Sequence, residues 1–306
     1  MEMWGRTLPA GPIGEAWELS DHPRGMSIVA EGRFAGLTLH EIVDRAGPSL
    51  VGASFAGSEF PLMVKLIDAR HRLSVQVHPD AASARRLGVG QHGKTECWVF
   101  LADGGEVYQG TRPGIGRAEF ERALAEHHTQ GTLNRFEAHQ GDVFFLPART
   151  VHALGEGCLL YEVQQTSDIT FRVYDWNRVG LDGKPRPLHV AESLATIDFA
   201  RMAFGPHATE AWRPMMEPSA GCKERVLVDC PHFTLREQRV CGRIEQNTSD
   251  FCRVITCIAG RGTLSTAAGQ VALLPMQTVL VPADAGSWCV EVPNGTATLL
   301  VATPKI

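Results

Sequence analysis

Residues 74–80 read Ser74-Val75-Gln76-Val77-His78-Pro79-Asp80, which is the alternation of a β-strand with one apolar and one polar face. Because successive strand residues project to opposite sides, Gln76 and His78 point the same way and can converge on one point. Asp80 predicts the N-cap of a short helix that follows the strand, continues through Leu87 and stops at Gly88. The segment therefore offers an amide and an imidazole to a common site.

Two later segments add residues of related chemistry. The first is Gly93-Lys94-Thr95-Glu96, and the second is Gly141-x5-Pro147-x-Arg149-x2-His152. A histidine, a later glutamate and a glycine–proline–histidine strand form the pattern of a cupin barrel. We expect Gln76, His78, Glu96 and His152 to surround one divalent metal with an open coordination position. This donor set suits a catalytic zinc, and iron(II) or manganese would also accept it.

The remainder of the chain predicts a mainly β fold of two cupin-like, jelly-roll barrels with short helices added to the first. Many short strands separated by glycine and proline favour this architecture. Residues 1–205 are expected to form the catalytic metal-binding domain, 206–221 a linker, and 222–306 a smaller barrel. The smaller barrel is expected to bind no metal, because the chain has no histidine after His232.

Composition restricts the partners and the compartment. The formal charge is −5, which gives no reason to expect nucleic acid or an anionic membrane. No stretch approaches the ~18 apolar residues of a membrane span, and the N-terminus lacks signal-peptide features. The eight cysteines include no CxxC pair, which favours reduced thiols in a cytoplasmic protein. The sequence gives no indication of oligomeric state.

Five blocks, in order across residues 13 to about 200, resemble the type I phosphomannose isomerases in their short bacterial form. They are Ile13-Gly14-Glu15-Ala16-Trp17-Glu18-Leu19-Ser20, Leu73 to Asp80, Gly93 to Glu96, Leu146-Pro147-Ala148-Arg149-Thr150-Val151-His152-Ala153-Leu154-Gly155, and Gln164 to Arg178. The resemblance implies an isomerase of carbohydrate metabolism that interconverts mannose 6-phosphate and fructose 6-phosphate. It also implies zinc held by the residues that match Gln76, His78, Glu96 and His152.

The same resemblance assigns roles around the metal. Arg172 and Lys94 match active-site positions of the family, Ser74 and Arg178 match positions near the substrate phosphate, and Trp17 matches a tryptophan near the pocket. One position departs from the family pattern, because Arg149 stands where a glycine is usual. If that glycine serves a positive φ, the arginine costs about 1 kcal/mol of backbone strain.

The chemistry expected of this site is proton transfer between C1 and C2 of the sugar. Arg172 would stabilise the developing oxyanion, and Lys94, with a pKa lowered by the metal, would act as a base or proton relay. The structural alternatives are a salt bridge from Lys94 to a carboxylate and an ion pair of Arg172 with Asp175 or Glu162. Two other functions are open at this point: an iron(II) oxygenase, and a non-catalytic sugar-binding or regulatory cupin.

Overall fold

A computed structural model describes residues 13–179, 183–201, 205–215, 221–248 and 250–305 of the 306-residue chain. The predicted mainly β architecture is confirmed, with eighteen strands against four α-helices in this part of the chain. The helices are α1 (Leu39–Val51), α2 (Ala81–Leu87), α3 (Arg117–Ala125) and α4 (Val190–Thr196). In the same described part, no helix is long and apolar enough to cross a membrane.

The strands of the first two-thirds of the chain are β1 (Glu15–Leu19), β2 (Leu62–Ala69), β3 (Val75–Val77), β4 (Glu96–Phe100), β5 (Glu106–Thr111), β6 (Leu133–Glu137), β7 (Val143–Leu146), β8 (His152–Leu154), β9 (Cys158–Gln165) and β10 (Phe171–Tyr174). Those of the last third are β11 (Arg213–Pro214), β12 (Lys223–Asp229), β13 (Phe233–Asn247), β14 (Arg253–Ala259), β15 (Gly262–Thr266), β16 (Gly269–Leu273), β17 (Thr278–Val281) and β18 (Ser287–Pro304).

The chain divides into two compact units. One unit contains residues 17–65 and 208–306, and the other contains residues 11–16 and 66–207. Helix α1, which the sequence analysis places in the catalytic domain, has its C-terminal end beside the last third of the chain, where the Cys252 amide donates to Val51 O at 2.9 Å. The domain boundaries drawn from the sequence remain a prediction, and residues 216–220 of the expected linker lie outside the described part.

The unit of residues 66–207 is built on two five-stranded sheets. Their strand orders are β1-β2-β9-β4-β7 and β10-β3-β8-β5-β6; β1 and β2 reach this unit with residues 15–16 and 66–69 only. Apolar clusters of buried side chains include Trp98, Phe144 and Leu160 in one and Val77, Tyr108 and Phe171 in the other. Burying this apolar surface stabilises the sheets, so that polar residues facing inward are held on a rigid frame.

Helix α2 shows why the segment after the first predicted strand turns back. The Asp80 side chain accepts a hydrogen bond from the Ser83 amide at 2.7 Å, which caps the helix at its start. Gly88 ends the helix in the left-handed region with φ of 67°, which glycine adopts without Cβ strain. Both ends agree with the sequence prediction.

The other unit is built on an eight-stranded sheet. Its main path is β11-β12-β13-β18-β14-β17, and the hairpin of β15 and β16 is attached through β18. The long strands β13 and β18 pair over most of their length, with a bulge between Val240 and Gly242. Their inward side chains, among them Val290, Leu299 and Trp288, form the core of this unit.

The eight cysteines of the chain all lie in its described part, and none of them forms a disulfide.

Two glycines of this unit provide a matched test of close packing. Gly260 and Gly295 have the same φ of +76°. A Cβ on Gly260 would lie 2.3 Å from Thr296 O, whereas a Cβ on Gly295 would meet nothing within 4 Å. The left-handed strain is common to both positions, so the difference between them isolates the backbone clash.

We expect Gly260→Ala to lower the free energy of unfolding by about 1–3 kcal/mol more than Gly295→Ala, which is the usual range for overpacking. Urea denaturation of the two variants and the parent protein measures this difference. Equal losses in both variants would show that the sheet absorbs the clash at no cost.

Candidate metal centre

One face of the second sheet of residues 66–207 carries a row of polar side chains. Directly opposed residues are Arg172 and Gln76 on β10 and β3, Gln76 and His152 on β3 and β8, and His152 and Gln109 on β8 and β5. Opposed residues of paired strands project to the same side of a sheet. Arg172, Gln76, His152 and Gln109 therefore share one face, with the glutamine and the histidine at its centre.

The first sheet presents Glu96 to this row. Glu96 begins β4, and its two oxygens lie 3.1 Å from His152 Nε2 and 3.5 Å from His78 Nε2. Trp98, two residues further on the same face, lies against the His152 ring with centroids 5.4 Å apart. The site is consequently enclosed between the two sheets of this unit.

The structure brings together the four side chains predicted to hold a metal. Donor atoms of His78, Glu96 and His152 all lie within 4.8 Å of one another, and the three side chains are at most 2% exposed. The side-chain amide of Gln76 is partly buried, with its nitrogen 3.3 Å from His152 Nε2. The amide can present its oxygen to the same point by a half-turn about its terminal bond.

Backbone carbonyls orient both imidazoles. His78 Nδ1 lies 2.8 Å from Ile169 O, and His152 Nδ1 lies 2.9 Å from Thr150 O. A carbonyl only accepts, so in each neutral ring Nδ1 carries the proton and Nε2 keeps its lone pair. Burial, followed by the positive charge of Lys94, holds the pKa of His78 well below its usual value, which favours the neutral ring.

The result is a convergence of acceptors. Two Nε2 lone pairs and the Glu96 carboxylate face one another; Glu96 Oε1 has no hydrogen-bond partner among the described residues, and Oε2 is contacted by the Lys94 ammonium at 2.8 Å. Burial acts to raise the pKa of Glu96, but the positive charge of Lys94 acts against it, and that pKa lies well below its usual value. A buried anion facing two lone pairs requires a cation, and the donor set fits a divalent metal with oriented histidines.

Lys94 supplies part of the required positive charge. Its ammonium lies 2.8 Å from Glu96 Oε2 and 3.2 Å from His78 Nε2. Burial acts to lower the pKa of Lys94, but the charges of Glu96 and Glu162 raise it above its usual value. The salt bridge considered as an alternative for Lys94 therefore exists. The lowering of the Lys94 pKa by a bound metal remains a prediction.

Arg172 does not form the ion pair considered as its alternative. Its Nη1 donates to Pro187 O at 3.0 Å, and its Nε is buried with no hydrogen-bond partner among the described residues. Asp175 is bound instead by Arg178 and Arg186. The guanidinium of Arg172 is thus positioned in the polar row without a carboxylate partner in the described part of the chain.

The three residues predicted to contact substrate have different surroundings. Ser74 is buried at 4% exposure in the segment that leads into β3. Arg178 is tied to Asp175 and also donates to Arg72 O. Trp17 belongs to the other unit, where the Lys65 ammonium lies 4.8 Å from its ring, and its predicted role remains a prediction.

Arg149 adopts the backbone conformation that glycine would favour. Its φ is +73°, so the strain anticipated for this position is present. The Arg149 amide donates to His78 O at 2.7 Å, which joins two of the segments that carry the histidines. Its side chain donates to Thr196 O at 3.1 Å and lies 3.9 Å from the Asp80 carboxylate, which partly neutralises its charge.

Further buried polar groups, which were not predicted to belong to the site, lie beside this centre. The carbonyl oxygens of Gln109 and Gln164 are buried without partners among the described residues, and Trp98 Nε1 donates to Glu162 at 2.7 Å. Glu162 and Gln164 are two residues apart on β9, which was an available strand-face signal. Gln109 gave no such signal, because β5 was not predicted.

Comparisons with known proteins agree with this geometry. A family model for the catalytic domain of type I phosphomannose isomerase matches residues 2–96. The mannose-6-phosphate isomerase of Streptococcus mutans is 33% identical over 93% of this chain and 87% of its own length. The crystal structure of mannose 6-phosphate isomerase from Bacillus subtilis is 29% identical with a TM-score of 0.88, covering 98% of this chain and 93% of that one.

A more distant structure shares the fold. A phosphomannose isomerase from Salmonella typhimurium has a TM-score of 0.75 at 17% identity, with 100% of this chain and 94% of that chain covered. The architecture thus persists where most of the sequence has changed. The 33% identity to the Streptococcus mutans protein, together with the family model, shows that the chain belongs to the type I phosphomannose isomerases, the family of the mannose-6-phosphate isomerases.

Proposed function

We propose that this protein is a zinc-dependent isomerase that interconverts mannose 6-phosphate and fructose 6-phosphate by proton transfer between C1 and C2. Gln76, His78, Glu96 and His152 would hold one ion per chain. The observation that carries this proposal is the buried convergence of two Nε2 lone pairs on a carboxylate. When bound, the ion would supply Lewis-acid polarisation of a sugar oxygen.

The protein's own residues supply the remaining requirements of an aldose–ketose isomerisation. An oxyanion develops as the proton leaves carbon, and a fixed positive charge near it lowers the barrier. Arg172 offers an unpaired guanidinium Nε in the same row as Gln76, and arginine stays charged at any working pH. Lys94, whose Nζ lies 2.8 Å from Glu96 Oε2, would act as the base or proton relay: its neutral amine would take the proton from one carbon and return it to the neighbouring carbon.

The same proposal covers the roles of the domains, the substrate contacts and the cellular compartment. Residues 1–205 would form the catalytic domain, and residues 222–306 a companion barrel that binds no metal. Trp17, Ser74 and Arg178 would contact the substrate, and the enzyme would work in the cytoplasm without nucleic acid or membrane partners. Family membership gives no support to an oxygenase or a non-catalytic sugar binder.

The proposed activity has a direct test. Purified protein is assayed with mannose 6-phosphate, with formation of fructose 6-phosphate coupled to a reporter enzyme, before and after treatment with a chelator. We expect activity that the chelator removes and added zinc restores in a ratio near one ion per chain. An active protein that keeps full activity after complete metal removal would refute the metal-dependent reaction.

A histidine substitution tests metal binding separately from folding. His152→Ala removes one donor and leaves the other acceptors buried, so we expect loss of bound zinc and a fall in kcat of at least about 10³-fold. Metal analysis and kinetics on the same preparation check this. His139→Ala, at an exposed histidine, is the control and should keep both values. Normal zinc content in His152→Ala would remove this residue from the ligand set.

An arginine substitution separates catalysis from metal binding. Arg172→Gln removes a fixed charge without touching a proposed ligand, so we expect kcat to fall about 10²–10³-fold, as for loss of an oxyanion donor. Zinc content should remain unchanged. Arg117→Gln, on the exposed side of α3, is the control. A variant that lost zinc and activity together would instead indicate a structural role for Arg172.

A further inference from the structure

The Asp175 carboxylate is the centre of an arginine cluster in the unit of residues 66–207. Its side chain is only 7% exposed. Arg178 Nη2 lies 2.7 Å from Oδ1, Arg186 Nε lies 2.8 Å from Oδ2, and Arg186 Nη2 also donates to Oδ1. Arg186 therefore binds both oxygens as a fork, and the orientations of both guanidiniums depend on one buried acceptor.

Arg172 lies within electrostatic reach of this cluster. Its Nη1 donates to the carbonyl of Pro187, the residue that follows Arg186. Burial lowers the pKa of Arg172, and the positive charge of Arg186 is the next cause. Repulsion of this kind is felt only between charges that are close and poorly screened.

The three arginines, Arg172, Arg178 and Arg186, leave the cluster with an excess of positive charge. They contribute three positive charges, and Asp175, the only carboxylate within 4.0 Å of them in the described part of the chain, contributes one negative charge. The difference is two positive charges, and because arginine does not deprotonate in proteins this excess is permanent. Such an excess favours the binding of an anion.

The excess positive charge of the cluster matches in magnitude the negative charge of a phosphate monoester. That group carries about −1.5 to −2 charges near neutral pH and presents three acceptor oxygens, which guanidinium forks bind in pairs. The side chains of Arg178 and Arg186 are 30% and 40% exposed. Arg186 binds Asp175 through Nε and Nη2, which leaves Nη1 for a ligand, whereas each nitrogen of Arg178 already donates once and only the second N–H of Nη1 and of Nη2 is left.

The cluster is also placed along the polar row of the candidate metal centre. Arg172 is directly opposed to Gln76 across β10 and β3. Arg178 donates to the carbonyl of Arg72, which precedes Ser74 by two residues on the segment entering β3. The positive excess therefore begins in the row that contains the proposed ligands and continues towards the start of that strand.

We propose that Arg186 is a second phosphate-binding cation beside Arg178, and that Asp175 is the positioning residue that fixes both guanidiniums. This inference rests on the proposed function, because it assigns the phosphate of the sugar substrate to the Asp175 cluster. It explains why a carboxylate is buried among arginines that bind an anion: the carboxylate sets their geometry and leaves two charges for the ligand.

The test uses the metal-loaded full chain and the variants Arg186→Gln, Arg186→Lys and Asp175→Asn. We expect Arg186→Gln to raise KM for mannose 6-phosphate about 10- to 100-fold, the usual effect of losing a hydrogen-bonded charge, with little change in kcat. Inhibition by inorganic phosphate should weaken by the same factor. Arg186→Lys should be intermediate, because a lysine keeps the charge but loses the fork. Asp175→Asn should raise KM with zinc content unchanged.

Arg117→Gln is the control, since it removes an exposed arginine charge elsewhere in the same unit. Unchanged KM and unchanged phosphate inhibition in Arg186→Gln would overturn the proposal, as would a loss confined to kcat. If Arg186→Gln does not fold by circular dichroism, Arg186→Lys decides, and a KM equal to that of the parent protein is then the refuting result.

Calorimetric titration of inorganic phosphate separates this inference from the proposed function. Parent protein that binds phosphate through Arg186 but does not convert mannose 6-phosphate would leave the anion site in place and refute the isomerase. Parent protein that converts mannose 6-phosphate, with phosphate binding unaffected in Arg186→Gln, would leave the isomerase in place and refute the role of Arg186.

Discussion

Three buried acceptors set the constraint on which the rest of this unit depends. The imidazole lone pairs of His78 and His152 and the carboxylate of Glu96 face one another at 3.1 to 3.5 Å, with almost no exposure to solvent. Bringing such groups together without a positive charge costs several kcal/mol per ion. Three features offset this cost. Strand pairing holds the donors in place, the Lys94 ammonium neutralises part of the negative charge, and backbone carbonyls fix the tautomers of both rings.

Gln76, Glu96 and His152 lie in strands and His78 directly follows β3, so the register of the strands decides which side chains face the site. A shift of one residue between β3 and β8 would turn Gln76 or His152 away from the shared face. Arg149 adds a second restraint, because its amide binds the carbonyl of His78 while its φ remains positive. Strain of this kind persists only where surrounding contacts over-determine the backbone. The departure from glycine therefore costs energy but leaves the link between the two histidine segments intact.

Sequence patterns were sufficient where a local rule acts alone. Alternation and spacing predicted the four residues that converge, and the Asp80 cap and Gly88 stop predicted α2. The helical periodicity of residues 189–203 predicts one helix, but α4 ends at Thr196, and just beyond it the Asp198 amide donates to Arg149 O, a partner 49 residues earlier in the chain. Residues 202 and 203 of that prediction lie outside the described part. Tertiary hydrogen bonds of this kind override periodicity and leave no local signal.

Strands interrupted by glycine or proline were the other source of error. Gly110, with φ of 65°, interrupts the alternation of β5, so this strand and its buried Gln109 were not predicted. β18 is one strand from Ser287 to Pro304, but its residues 293–296, which include Pro293 and Gly295, have no paired residue on β13. Such irregularities are tolerated because the partner strand supplies most of the hydrogen bonds and packing, which a single sequence does not reveal.

Positive charge is distributed unevenly between the acceptor cluster and the Asp175 cluster. With the proposed divalent ion bound, the acceptor cluster has two negative charges from Glu96 and Glu162 against three positive charges from the ion and Lys94, whereas the Asp175 cluster has three positive charges against one negative and so keeps the larger positive excess. A ligand with an anionic group at one end and neutral oxygens at the other is bound in a single orientation by such a field. The neutral end must then lie on the side of the buried acceptors, where only groups able to coordinate a cation or exchange a proton are useful. Orientation is therefore set by the fold before any substrate contact forms, and the arginines around Asp175 define it.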